Sequence, residues 1–217
     1  MLKTIAAGIL TLVIAFGAVP ATAQDTIGVY ADFGDGGELS RSLITKVGEP
    51  FDIVVVTKTN YSGDLIQFEM TELQNLYAGV FKYTTTRFGG ATASFGDEDI
   101  GEQVFGYGAC AGAGENEILR IRYHDVNGSL PENVVVSVFD PGPDNSYFEM
   151  LNGVMMYSDC YTVAYRQLVA EPWDESSGMD PTLIEGVTST DGILVLNPQG
   201  LSVSSEFSSL STLKSRF

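Results

Sequence analysis

Residues 65–71 read LIQFEMT, a stretch in which apolar and polar side chains alternate. In an extended strand, Ile66, Phe68 and Met70 lie on one face, and Gln67 lies on the other face with the remaining polar residues. One face is therefore expected to be buried and the other to be hydrated. This alternation predicts a strand of a sheet that covers a hydrophobic core.

The same kind of pattern recurs along the chain. Residues 118–123 alternate apolar residues with two arginines, whereas the continuous apolar runs at 53–56 and 134–136 are typical of central strands. Clusters of Gly, Asp, Asn and Pro separate these segments. Further strands are predicted over residues 26–33, 39–47, 79–86, 102–108, 153–158, 160–169 and 192–197. We expect an all-β fold, a single immunoglobulin-like or cohesin-like β-sandwich over residues 24–200 followed by a short C-terminal helical tail.

The first 23 residues have the pattern of a secretory signal peptide. Lys3 precedes an apolar run over residues 5–19, and Ala-Thr-Ala at 21–23 forms a cleavage site before Gln24. The run is too short for a stable membrane anchor, and no cysteine follows the cleavage site to accept a lipid. We expect an exported protein, located in the periplasm, at the cell surface or outside the cell, with no membrane attachment after processing.

The charge balance narrows the classes of partner. The 217 residues include 28 acidic and 11 basic side chains, and without residues 1–23 the formal charge is −18. Nucleic acids and anionic membranes bind proteins through Lys and Arg, so neither is expected as a partner. The length is sufficient for one domain with its own core.

Cys110 and Cys160 are the two cysteines of the chain. An even number of cysteines in an exported protein favours a disulfide, which we predict between these two residues. The alternative, a redox or nucleophilic cysteine, would call for a C-x-x-C pair or a nearby histidine, and neither is evident.

Residues 201–217 differ from the preceding sequence. Ser205 can cap a helix that begins at Glu206, and basic residues near the end suit a helix C-terminus. Apolar residues recur at helical spacing at Phe207, Leu210, Leu213 and Phe217, and the basic residues are Lys214 and Arg216. The candidates for recognition are Phe207, Leu210, Leu213, Lys214 and Phe217. This tail is expected either to dock on the sandwich or to serve in recognition, for sorting or for binding a groove.

Acidic residues in three loops suggest calcium as a ligand. Asp32, Asp35 and Glu38 lie in a Gly-rich turn, and we choose them as the candidate calcium site because calcium prefers flexible oxygen ligands. The other candidates are the triplet Asp97-Glu98-Asp99 and the turn that holds Asp140, Asp144 and Asn145. None matches the twelve-residue calcium loop, so solvated acidic loops are the alternative.

Catalytic signatures are weak. His124 is followed by Asp125, yet no G-x-S-x-G sequence accompanies this pair. One histidine and a bridged cysteine pair leave too few ligands for zinc. Carboxylates are too numerous for any chosen pair to indicate glycoside hydrolysis. We expect no enzymatic activity.

Aromatic residues offer an alternative role in carbohydrate binding. Exposed rings can stack on sugars, but aromatic residues in strands usually pack in the core, which is our expectation here. The candidates are Tyr77, Phe81, Tyr83, Tyr147, Phe148 and Trp173.

Four segments carry a resemblance to known proteins: IGVYAD at 27–32, GEPFDIVVV at 48–56, FGYGAC at 105–110 and LSTLKSRF at 210–217. Together they resemble a group of uncharacterised exported bacterial proteins that look like single β-sandwiches with a terminal W-G-x-[IL]-K-x-x-[YF] element. Leu210 and Ser211 replace the Trp and Gly of that element. The second segment also resembles a strand of cohesin-like and other immunoglobulin-like sandwiches. The resemblance implies a fold and an exported location but no activity.

Two functions from different classes follow. The first is a non-enzymatic structural or adhesive protein, which would bind a protein partner or assemble with itself. The second is a module for carbohydrate or another ligand, with calcium in support. Exposed sheet edges would favour assembly, whereas a concave surface with aromatic residues beside carboxylates would favour ligand binding.

Overall fold

The computed structural model describes residues 23–33, 38–91, 94–142, 153–174 and 179–201. The predicted signal peptide up to residue 22 lies outside the described residues, as do Asp35 and the tail from residue 202. The same holds for the segment 143–152, which contains Asp144, Asn145, Tyr147 and Phe148. The chain forms an all-β sandwich of two mixed sheets that pack against each other, as predicted.

Sheet 1 has five strands in the order β11-β1-β3-β7-β5. All neighbours are antiparallel except β1 and β11, which are parallel. The strands are β1 (Thr26–Asp32), β3 (Pro50–Thr59), β5 (Val80–Arg87), β7 (Gly114–Asp125) and β11 (Val169–Ala170).

Sheet 2 has seven strands, six of them in the order β10-β9-β4-β8-β12-β2, and the seventh, β6, pairs with β4. The strand β12 runs parallel to β2, and the other pairs are antiparallel. The strands are β2 (Ser42–Leu43), β4 (Gly63–Met70), β6 (Glu102–Ala111), β8 (Val134–Phe139), β9 (Met156–Asp159), β10 (Tyr165–Gln167) and β12 (Ile193–Leu196).

Helices contribute little to the described structure. The helix α1 (Leu73–Leu76) is one turn long, and the Glu72 side chain caps it by accepting a hydrogen bond from the backbone amide of Gln74. Short 3₁₀ turns occupy Phe88–Gly90 and Pro181–Leu183. Within the described ranges, no helix combines the length and the apolar character needed to cross a membrane.

The core lies between the sheets and follows from the alternation in the sequence. Ile66, Phe68 and Met70 of β4 are buried, and they face apolar residues of β1, β3 and β7 such as Ile53 and Ile121. These side chains lie within a single buried cluster that includes residues of both sheets. The predicted half-buried character of β7 is confirmed, because its apolar residues are buried while both arginines keep partial exposure.

Three local predictions were wrong. The predicted strand 39–47 contains only the two residues of β2, and the predicted strand 160–169 is divided between β10 and the start of β11. Gln67, expected on a hydrated face, is completely buried. Its side-chain amide donates to the carbonyl of Val154 at 2.8 Å, because the chain that precedes β9 covers this face of sheet 2.

The edge strand β5 carries features that hinder pairing with another chain. The side chain of Lys82 is only 16 % exposed and forms an ion pair with buried Glu72, and the backbone amide of Lys82 donates to Gln74 Oε1 at 2.8 Å. The register of β5 against β7 also shifts between Lys82 and Thr84. Buried charges and bulges in edge strands are common means of preventing edge-to-edge association.

Candidate functional site

The first candidate residue, Asp32, lies in a network of charges on the outer face of sheet 1. Strand pairing places Asp32 opposite Asp52, and Asp52 opposite Arg122. Arg120 donates from Nη1 to Asp32 at 2.7 Å and to Asp52 at 2.9 Å. Arg122 donates from Nε to Asp52 at 2.7 Å, and Glu117 binds Arg120 from the outer side. The Asp32 carboxylate is therefore held by a guanidinium.

Electrostatics explains why two buried carboxylates are tolerated at this position. Burial by itself would raise the pKa of Asp52, but hydrogen bonds from Arg122 and Arg120 outweigh this effect and lower its pKa. The hydrogen bond that Arg120 donates to Glu117, together with those it donates to Asp32 and Asp52, raises the pKa of Arg120 against the opposing effect of burial. The charged forms are favoured on both sides, so this network stabilises the sheet.

The predicted calcium loop is only partly described. Asp32 is buried in the charge network, Glu38 is exposed, and Asp35 lies outside the described residues. Among the residues that the structure describes, no three His, Cys, Asp or Glu side chains come together as metal ligands. Calcium binding by Asp32, Asp35 and Glu38 stays a prediction, in which calcium would have to share or replace the Arg120 contact.

The other acidic loops use their side chains for local structure. Glu98 forms an ion pair with Arg87, and Asp97 accepts a hydrogen bond from the amide of Asp99 at 3.1 Å. Asp140 accepts a hydrogen bond from the amide of Met155 at 2.8 Å. Asp99 forms an ion pair with Lys82 at 3.6 Å, so each described carboxylate of both loops has a partner within the chain.

A second charged cluster, centred on Glu171, was not found by sequence reasoning. Its carboxylate receives Arg41 at 2.9 Å, Lys58 at 2.6 Å and the hydroxyl of Tyr30. Arg41 also donates to the carbonyl of Ile193 in sheet 2, so the cluster joins the two sheets. Its members are separated by up to 141 residues in sequence, and no local motif connects them.

The predicted disulfide between Cys110 and Cys160 is confirmed. It joins the end of β6 to the residue after β9, where Asp159 organises the turn into β10. Asp159 accepts a hydrogen bond from the amide of Tyr161 at 2.9 Å and forms an ion pair with Arg166 at 3.0 Å. The guanidinium of Arg166 lies over the ring of Tyr61. These contacts fix the turn between β9 and β10.

His124 and Asp125 do not form a catalytic pair. His124 Nε2 contacts the carbonyl oxygen of Gly48 at 2.6 Å. Asp125 lies on the opposite face of β7, where its carboxylate accepts hydrogen bonds from the amides of Ser129 and Leu130. The aspartate thus stabilises the turn that follows the strand.

The expectation that the aromatic residues pack in the core is met by some of them and contradicted by others. Tyr77 packs against the core, and Trp173 is half-buried with its indole nitrogen donating to the carbonyl of Met179. Phe81 and Tyr83, which were expected in the core, are 52 % and 75 % exposed. The reason is that β5 is an edge strand and Phe81 lies on the outer face of sheet 1, next to His124.

A groove of about 710 Å³ runs along β8. One wall is formed by residues 184–189 and Asp191, and the other side by β8 itself. Val135, Val138 and Ile193 contribute apolar surface, and Phe139 at the end of β8 is 41 % exposed. The groove therefore combines an apolar floor with an aromatic side chain.

The polar lining of this groove is acidic. It contains four carboxylates, those of Glu132, Asp140, Glu185 and Asp191, and no Lys, Arg or His among its described lining residues. None of the four forms an ion pair with another described residue, since no pair of this kind lies within 4.0 Å. Hydroxyl and amide groups complete the polar lining, from Asn133, Ser137, Thr188 and Ser189.

Sequence reasoning missed this groove, apart from naming Asp140 and Tyr77 for other roles. Its two sides come from segments about fifty residues apart in sequence. No sequence pattern indicates that these two segments lie next to each other in the fold. A scan of the chain against protein-family models finds no match, and a search of curated proteins finds no similar sequence. The arrangement of the side chains is therefore the basis for a functional proposal.

Proposed function

We propose that this protein is an exported, non-enzymatic β-sandwich that acts in adhesion by holding a ligand in the groove along β8. The observation that carries this proposal is the combination found there: exposed Phe139 beside carboxylates that have no cation among the described residues. A concave surface with an apolar floor and a few convergent polar groups is the usual form of a ligand site.

The chemistry of the lining favours a carbohydrate or a similar hydroxyl-rich ligand. Carboxylates such as Asp191 accept hydrogen bonds from ligand hydroxyls, and Ser137 and Asn133 can both donate and accept them. The exposed ring of Phe139 can pack against the apolar face of a sugar. Anionic ligands are disfavoured because the lining is acidic.

One further observation favours this role over self-assembly, and a second fits the expected location outside the cytoplasm. The edge strand β5 is protected by Lys82 and by the irregular register that follows it, so edge-to-edge pairing at this edge is hindered. The Cys110–Cys160 disulfide also fits an oxidising compartment outside the cytoplasm. An adhesive module of this kind needs a preformed site on a rigid frame and no catalytic group.

The proposal can be tested by affinity electrophoresis of residues 24–217. The native gels would contain hydroxyethyl cellulose, galactomannan or soluble starch, with polygalacturonate as the anionic comparison. We expect at least one neutral polysaccharide to retard the protein, and polygalacturonate to have no effect. Phe139→Ala should weaken the retardation about fivefold, because one aromatic contact contributes roughly 1 kcal/mol beyond its buried area.

Phe81→Ala is the matched control, since Phe81 is exposed to a similar extent but lies on the other sheet. It should leave the retardation unchanged. The carbohydrate proposal would be overturned if none of the neutral polysaccharides retarded the protein, or if the two substitutions had equal effects. Circular dichroism of each variant would establish that its fold is intact.

A further inference from the structure

We propose that the tail segment 202–217 docks in the groove along β8 of the same molecule, with its basic C-terminal end in contact with the groove. In this arrangement Lys214 and Arg216 pair with the groove carboxylates, and neighbouring apolar residues of the tail cover its floor. The docking does not depend on the identity of the ligand. Its consequence, that the tail competes with the ligand for the groove, rests on the proposed adhesive function.

The first argument comes from the pairing of charges. Each lysine and arginine of the described chain already has a carboxylate partner: Arg41, Lys46, Lys58, Lys82, Arg87, Arg120, Arg122 and Arg166. The remaining basic residues of the sequence are Lys3, in the predicted signal peptide, and Lys214 and Arg216 in the tail. The tail therefore supplies the cations of this chain that are available to an acidic groove.

The second argument is the point at which the tail begins. Leu201 is buried in a small cluster with Met179, Ile193 and Val195, against which Val135 and Ile184 also pack. Of these residues, Val135, Ile184 and Ile193 also line the groove. The carbonyl of Leu201 accepts a hydrogen bond from the amide of Asp180 at 2.9 Å, which holds this position. The tail thus leaves the sandwich directly beside the acidic lining.

The third argument is that the tail matches the groove in length and in character. Lys214 follows Leu201 by thirteen residues. They span up to about 43 Å when extended, or about 20 Å as a helix, so either form reaches the groove. The segment 202–217 has one acidic and two basic residues, in contrast to the acidic chain as a whole. Its apolar residues, including Leu213 and Phe217, suit the floor formed by Val135 and Ile193.

Zero-length cross-linking of residues 24–217 tests this arrangement directly. A carbodiimide joins a lysine amine to a carboxylate only when the two are in contact, with loss of one water molecule. After residue 23 the chain has four lysines, so cross-linked peptides can be assigned by mass spectrometry. We expect Lys214 to be joined to Glu132, Glu185 or Asp191 in the monomer, with a yield that falls severalfold in 1 M salt because ion pairs are screened.

The exposed pair Lys46–Glu49 provides an internal control for the reaction. Combining Glu132→Gln, Glu185→Gln and Asp191→Asn should remove the Lys214 products and leave the Lys46–Glu49 product unchanged. The matched variant, with Glu38→Gln, Asp99→Asn and Glu115→Gln at exposed positions elsewhere, should keep the Lys214 products. Because no ligand is added, this result is independent of the polysaccharide experiment.

Three results would overturn the proposal. Lys214 could give no product while the Lys46–Glu49 control reacts, or it could react with carboxylates spread over the surface outside the groove. A mixture of isotopically labelled and unlabelled protein could also show that the groove products join two molecules. That last result would make a second copy the occupant in place of the molecule's own tail.

Discussion

Arg120 donates a hydrogen bond from Nη1 to Oδ2 of Asp32 across 2.7 Å, and the Asp32 carboxylate is 1 % exposed. The same nitrogen donates to Asp52, whose carboxylate is completely buried. A residue that the sequence suggests as a loop ligand is thus part of a three-strand arrangement of charges. This relationship makes Arg120 important for stability, because its removal leaves two buried carboxylates with fewer partners.

Replacing Arg120 by Met is therefore expected to lower the free energy of unfolding by about 3 kcal/mol. Urea denaturation followed by tryptophan fluorescence and circular dichroism measures this change. Lys46→Met is the control, since Lys46 and Glu49 form an exposed pair whose loss should cost less than about 1 kcal/mol. Equal urea midpoints for the two variants would contradict the stabilising role of Arg120.

The acid sensitivity of the fold follows from carboxyl groups whose pKa is lowered. Burial would raise the pKa of Glu171, yet hydrogen bonds from Lys58 and Tyr30 lower it overall. The hydrogen bond from the amide of Tyr161 is the largest cause that lowers the pKa of Asp159 to about 2, assisted by Arg166 and opposed by burial. Both carboxylates are thus more acidic in the folded protein than in the unfolded chain.

A group with a lowered folded pKa stabilises the protein above its unfolded pKa and loses this effect as the pH falls through the folded value. We expect the melting temperature to stay nearly constant from pH 7 to about 5 and to fall between about pH 5 and 2. Calorimetry across this range is the measurement. Asp159→Asn should lower the melting temperature at pH 7 and make the acid decline shallower, whereas Asp64→Asn, at an exposed position away from the groove, should do neither.

The disulfide offers a third prediction. Cys110 and Cys160 are separated by 50 residues, for which loop-closure entropy gives a stabilisation of about 4 kcal/mol, with smaller values often measured. The double variant Cys110→Ala/Cys160→Ala should lose up to about 4 kcal/mol of unfolding free energy, and its urea midpoint should therefore be lower. Intact mass before and after reduction, differing by about two mass units as expected for one bridge, verifies that the bond is present. A midpoint equal to that of the unaltered protein would contradict the prediction.

The calcium hypothesis has a direct test in the melting temperature with calcium and with chelator. An ion that binds only the folded state must raise the melting temperature. When the free calcium concentration is a hundred times the dissociation constant, the added stability is about 2.7 kcal/mol. The hypothesis predicts a rise that Glu38→Gln removes and that magnesium does not reproduce. The absence of a shift in millimolar calcium would exclude Asp32, Asp35 and Glu38 as a calcium site of useful affinity.

Most strands could be predicted from alternation alone, and the particular failures have physical causes. Residues 65–71 and 118–123 revealed their buried faces because period-two patterns are local. The exposure of Phe81 and the burial of Gln67 depend on which strand lies at an edge and on which segment covers a face. Both are consequences of pairing between distant parts of the chain, and propensity does not contain this information.

The candidate groove was less accessible to sequence reasoning for a related reason. Its floor residues, such as Val135 and Ile193, lie in two apolar segments that read as ordinary strands. Glu132, Glu185 and Asp191 are scattered acids in a chain rich in acidic residues. Only the approach of residues 184–189 to β8 brings these acidic residues into one groove. The disulfide was predictable because the even number of cysteines and the predicted export favoured it without any knowledge of geometry.

A steric test of the frame is available at Gly108, in the middle of β6. A Cβ atom at this position would lie 1.7 Å from the carbonyl oxygen of Gly89, in the turn Phe88–Gly90 that packs on the strand. Gly108→Ala must therefore displace this turn, and we expect a loss of about 1–3 kcal/mol in urea denaturation. At Gly112 an added Cβ meets no atom within 4 Å, so Gly112→Ala should change the stability by less than about 0.5 kcal/mol. A large difference between the two variants would indicate the steric contact, because each replaces glycine by alanine. Equal stabilities would contradict the close approach of the turn to β6.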